Sequence, residues 1–67
     1  MNYLISVLMS VKNGEDYLEE SIKSILNQSY KNFEFLIIDD GSTDKSLAIC
    51  NKFAEKDVRV KVISNVQ

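Results

Sequence analysis

The sequence predicts an α/β fold, the β-α-β-α-β half of a doubly wound, mainly parallel sheet, and three observations carry that reading. Two runs, Leu4-Ile5-Ser6-Val7-Leu8-Met9 and Phe33-Glu34-Phe35-Leu36-Ile37-Ile38, are apolar at nearly every position, as strands are when both faces of their sheet are covered. Each run is followed by a segment whose apolar residues recur at helical spacing. The second run stops at Asp39-Asp40-Gly41 and continues as Ser42-Thr43-Asp44, the signature of a strand, a tight turn and a helix start. Ligands of open parallel sheets sit just beyond the carboxyl ends of the strands, so the two acids mark the candidate site.

Taken in order, the first strand ends at Ser10-Val11-Lys12, and Asn13 is the expected N-cap of the first helix, with Glu15 and Asp16 in its first turn. Leu18, Ile22, Ile25 and Leu26 gather on one face of that helix, while Glu19, Glu20, Lys23 and Asn27 face away. The helix is expected to end near Gln28-Ser29, and Tyr30-Lys31-Asn32 leads into the second strand at Phe33. Ser42 or Thr43 is the expected cap of the second helix, with Asp44 in its first turn and Leu47, Cys50, Phe53 and Ala54 on its apolar side. Val58, Val60, Val62 and Ile63 alternate with Arg59 and Lys61, a less buried third strand. Right-handed crossovers in the strand order 3-2-1 put both helices on one face of the sheet. The other face is apolar as well, which predicts a covering layer from outside these residues, or self-association.

Sixty-seven residues make at most one small domain, and a chain of that size hides only about 60% of its extended surface on folding. With 8 basic and 10 acidic side chains the formal charge is −2, and no basic cluster offers a footprint for nucleic acid or an anionic membrane. No apolar run approaches the roughly 18 residues of a spanning helix, and the amino terminus does not read as a signal sequence, so the expected location is cytoplasmic. The single cysteine, Cys50, has no partner for an internal disulfide and is expected to be a small buried hydrophobe; the absence of histidine excludes a Cys/His nucleophile pair and a zinc site within the chain.

Ser10, Lys12, Asn13, Asp39, Asp40, Ser42 and Asp44 are all offered at the strand ends. Paired carboxylates can hold a divalent cation, work as acid and base, or accept hydrogen bonds from a sugar or a base edge. Neighbours on an extended segment point to opposite sides, so Asp39 and Asp40 are not expected to share one ligand, and one of them is expected to bond backbone amides of the adjoining loop. With only Gly14 and Gly41 present, no glycine-rich phosphate loop can be written, which removes the usual dinucleotide site. A phospho-receiver domain is excluded because its acidic pair follows the first strand and its aspartate the third, which here ends in Ser64-Asn65.

Ile5-Ser6-Val7-Leu8-Met9-Ser10-Val11-Lys12-Asn13-Gly14, Leu18, Ser24-Ile25-Leu26-Asn27-Gln28-Ser29-Tyr30, Phe33-Glu34 and Ile38-Asp39-Asp40-Gly41-Ser42-Thr43-Asp44 together resemble the amino terminus of family-2 glycosyltransferases. The resemblance runs over nearly the whole chain and implies that residues 1–67 are the amino-terminal part of a nucleotide-sugar-binding domain of the GT-A fold. It implies an enzyme that transfers a sugar from a nucleotide-sugar donor to a carbohydrate or other acceptor hydroxyl, with inversion, and with Mn²⁺ or Mg²⁺ in the full-length protein, which would work in the cytoplasm or at the cytoplasmic face of the membrane. It assigns Ser10, Lys12 and Asp40 to the nucleotide, with Asp39 as a further candidate. The family's metal-binding Asp-x-Asp motif and catalytic base fall beyond Gln67, so no catalytic and no metal-ligating residue is assigned here. Two positions depart from the family: Ser10 stands where proline or threonine is usual, and Lys12 replaces an aromatic that would stack on the base. The alternative expectation is a free-standing α/β binding or scaffold module in which the acids serve structure alone.

Overall fold

The computed structural model describes residues 5–28 and 32–65. Its elements are β1 (Ile5–Val11), α1 (Leu18–Leu26), β2 (Phe33–Asp39), α2 (Ser46–Lys56) and β3 (Val60–Ser64). The strands are parallel in the order β1-β2-β3, with Ile5 opposite Phe33, Val11 opposite Asp39, and Asp39 opposite Ser64. The expected fold class and strand order are therefore observed. Leu4 and Ser29-Tyr30-Lys31 lie outside the described residues.

Both helices cover the same side of the sheet, as right-handed crossovers require. Phe33, Phe35 and Ile37 of β2 are buried there with Val11, Leu18, Ile22, Cys50 and Val60. The stripe predicted for α1 holds, with Leu18 and Ile22 buried and Ile25 and Leu26 packed at the margin of the core. Along β2 burial alternates instead of being continuous, because no described element covers the second face. That face carries Leu8 at 65% and Ile63 at 47% exposure, with Leu36 and Ile38 half-buried between them. As an edge strand, β1 is far more exposed than its composition suggests, and only Val11 is buried.

Three local expectations are corrected. Asn13 is not a cap: it adopts a left-handed φ of 53°, and α1 starts only at Leu18, after Tyr17 and Leu18 have donated their N–H groups to the Gly14 carbonyl. Neither Ser42 nor Thr43 caps α2; Asp44 instead accepts the Ser46 N–H at 2.8 Å. Val58 falls outside β3, 88% exposed in a turn that closes when Asp57 accepts the Arg59 N–H at 2.9 Å.

Candidate functional site

The sheet sets the site. At the carboxyl end of β2 the Asp40 N–H donates to the Val11 carbonyl at 2.8 Å, and the Asp39 carbonyl accepts from the Asn65 N–H at 2.8 Å. These two bonds bring the ends of all three strands to one level. Gly41 then turns the chain with a φ of 73°, a conformation that costs a side chain about 1 kcal/mol or more. A cleft of about 270 Å³ opens above the strand ends, lined by Lys12 just after β1, Asp39 at the end of β2 and Asp40 to Thr43 after it, Leu47 of α2, Ser64 at the end of β3 and Asn65 after it.

The two acids differ as their opposite directions predict. Asp39 is 1% exposed. Its Oδ2 accepts the Ser42 N–H at 3.3 Å, whereas its Oδ1 has no partner among the described residues. Asp40 is exposed and lines the cleft. Lys12, Asp39 and Asp40 are thus brought to one cleft, but Ser10 is not among the residues that line it: it is exposed, in register with Ile38 on the uncovered face of the sheet. Asn13 and Asp44 are near the cleft without lining it.

Ser64, Asn65 and Leu47 were missed as cleft residues. The polar pair that ends the apolar alternation of the third strand was the available signal for the first two; Leu47 gave none, because its helical spacing matches that of Cys50 and Ala54. Beneath the cleft Cys50 is fully buried, and burial, with the neighbouring Asp39 charge, pushes its thiol up to about 11.

Among the described residues no group of three or more His, Cys, Asp or Glu side chains gathers into a metal site. One orphan oxygen on Asp39 and one exposed carboxylate on Asp40 do not make the oxygen shell that Mg²⁺ or Mn²⁺ requires. What the cleft can do is accept hydrogen bonds through Asp40 and donate one, or offset an anion, through Lys12. No described helix is long and apolar enough to cross a membrane.

A family model described as glycosyl transferase family 2 matches residues 6–67. An uncharacterized glycosyltransferase of Haemophilus influenzae is 58% identical over 59 residues, which are 88% of this chain and 24% of that protein. The glycosyltransferase GlyG of Streptococcus pneumoniae serotype 4 is 46% identical over 63 residues, 94% of this chain and 21% of that protein. Among solved structures, a mannosyltransferase of Pyrobaculum calidifontis in complex with GDP-Man and Mn²⁺ superposes with a TM-score of 0.76 over 94% of this chain and 19% of that one, at 22% identity, a likeness of fold. The chain spans about a quarter or less of the length of these proteins.

Proposed function

Because the chain belongs to glycosyl transferase family 2, we propose that its cleft holds the nucleotide of a nucleotide-sugar donor, and that the full-length protein passes the sugar, with inversion, to an acceptor hydroxyl. The observation that carries the reading is the position of Asp40: an exposed carboxylate at the end of the central strand, in a cleft that it shares with Lys12. A carboxylate there accepts hydrogen bonds from the N–H groups of a base edge or from ribose hydroxyls, and Lys12 donates to a ring carbonyl. Among the described residues the cleft lining contains no aromatic side chain, so what these residues offer a base is hydrogen bonding at its edge. Ser10 does not line the cleft, and the nucleotide contacts proposed are Lys12 and Asp40, with the buried Asp39 fixing the turn beneath them. The divalent cation in the mannosyltransferase complex supports metal use by the whole enzyme, through ligands outside the described residues. A reducing compartment, the cytoplasm, fits a lone cysteine that is buried and free.

The test is calorimetric titration with UDP and GDP. Loss of a charge-assisted hydrogen bond costs about 1.5–3 kcal/mol, so Asp40→Ala should weaken the preferred nucleotide about tenfold or more without unfolding the domain. Unchanged affinity would refute the assignment and favour the scaffold alternative.

A further inference from the structure

We infer that Asn13 and Asp44 are positioning residues for nucleotide binding, which close the loop after β1 and the turn after β2 into one hydrogen-bonded latch and so fix Lys12 against Asp40. The inference rests on the nucleotide reading of the cleft. Neither side chain lines that cleft, yet both bond across about thirty residues of sequence. The Asn13 Oδ1 accepts the Thr43 N–H at 2.8 Å, the Asp44 N–H at 3.3 Å and the Thr43 hydroxyl at 3.4 Å. In return the Asn13 N–H donates to Ser42 Oγ at 2.9 Å, and the Gly14 N–H donates to the buried Ser46 Oγ at 2.8 Å. The Asp44 carboxylate closes the far end, its Oδ2 accepting the Glu15 N–H at 3.1 Å and its Oδ1 the Ser46 N–H at 2.8 Å.

The partners on one side are the three residues that follow Lys12, and those on the other lie within six residues after Asp40. The left-handed φ of Asn13 lets one residue serve both ways, its backbone N–H donating and its side-chain oxygen accepting towards the same turn. Two loops that met a ligand independently would each have to be ordered on binding, and a latch removes that cost before the ligand arrives. The usual capping motif after a strand is thereby turned away from its own helix and towards the neighbouring loop.

Three variants test the inference by UDP and GDP titration combined with amide hydrogen exchange. Asn13→Gly keeps access to the left-handed backbone and deletes the acceptor, while freeing the loop backbone in a way that Asp44→Ala does not. It should speed exchange at the Thr43 and Asp44 amides, leave the Phe35 and Ile37 amides protected, and weaken the preferred nucleotide about fivefold to tenfold, the worth of a hydrogen bond of ordinary strength. Asn13→Asp keeps the acceptor and should restore affinity, and Asp44→Ala, which cuts the other side of the latch, should lose as much as Asn13→Gly. Wild-type affinity in Asn13→Gly or Asp44→Ala with intact Phe35 and Ile37 protection, or failure of Asn13→Asp to restore it, would overturn the latch. If Asp40→Ala loses binding while Asn13→Gly does not, the cleft reading stands and the latch falls; if the wild-type protein binds neither nucleotide, both fall.

Discussion

Two adjacent aspartates of identical chemistry have opposite surroundings, one sealed under the turn and one open to the cleft. The direction of alternate residues on a strand is enough to separate them. Two other aspartates accept hydrogen bonds both from backbone amides and from neighbouring side chains. Asp44 is held below the ordinary carboxylate value of 3.8, chiefly by the Ser46 side-chain hydrogen bond, with the Ser46 and Glu15 amides adding to it. Asp57 is lowered by its hydrogen bonds to Arg59. For a carboxyl whose folded pKa is depressed, the unfolded chain takes up protons first as pH falls. The stabilisation is therefore complete above the unfolded value and is lost as pH drops through the lowered folded values. Denaturant midpoints should be flat above about pH 5 and fall below about pH 4, with a shallower fall in Asp57→Asn. Midpoints independent of pH across that acid range would contradict both assignments.

At the scale of elements, the passage from α2 into β3 is held by one arginine. Arg59 donates from Nη2 to Asp57 Oδ2 at 2.7 Å and from Nε to Asp57 Oδ1 at 3.0 Å, reaches the Leu26 carbonyl at 3.5 Å, and lies 4.6 Å from the centroid of the Phe33 ring. It thereby ties the end of α1, the start of β2 and the turn before β3. Arg59→Ala should cost about 1–2 kcal/mol in chemical denaturation. Arg59→Lys should recover little of it, since an ammonium has neither the planar fork nor the stacking surface. Recovery to wild-type stability in Arg59→Lys would show that charge alone is at work. By contrast, the exposed Lys23–Glu19 pair on α1 is of the kind that contributes little. Element order, the face of α1 and the position of the acid pair were legible because periodicity and strand-end chemistry are local. The role of Asn13 was not, because its partners are about thirty residues away and a cap-like residue looks the same whichever loop it serves. The exclusion of Val58 from the third strand was equally hidden, since the Asp57 turn overrides a favourable alternation. The exposure of β1 depends on its place at the sheet edge, which composition does not encode.

At the largest scale, the face of the sheet that no described element covers predicts association of this chain. Leu8, Leu36, Ile38 and Ile63 lie together on it, and burying even about 400 Å² of apolar surface is worth on the order of 10 kcal/mol before association costs. The 67-residue chain should therefore dimerise, and Leu8→Lys should shift it towards monomer. Light scattering that gave a concentration-independent monomer for the parent sequence would refute this. The same chain should transfer no sugar in a turnover assay with UDP-glucose or GDP-mannose. Negative charge grows on the departing diphosphate, no acidic cluster among the described residues could hold a divalent cation to neutralise it, and general-base help worth about 10²- to 10⁴-fold has no assigned residue here. Measurable transfer would relocate the chemistry into these residues.

The contacts between the two loops also bear on how the protein ages. In an Asn-Gly pair the glycine nitrogen can attack the preceding side-chain carbonyl, expelling ammonia and leaving a succinimide that water opens to aspartate or isoaspartate. In the folded chain the Gly14 nitrogen is committed to Ser46 Oγ and the Asn13 carbonyl oxygen to the Thr43 and Asp44 amides. Folding engages the Gly14 N–H and restrains the Asn13 side chain, so covalent damage at Asn13 should begin chiefly from molecules in which the loops have separated. The rate of isoaspartate formation in a stored sample is then a slow clock that counts those openings.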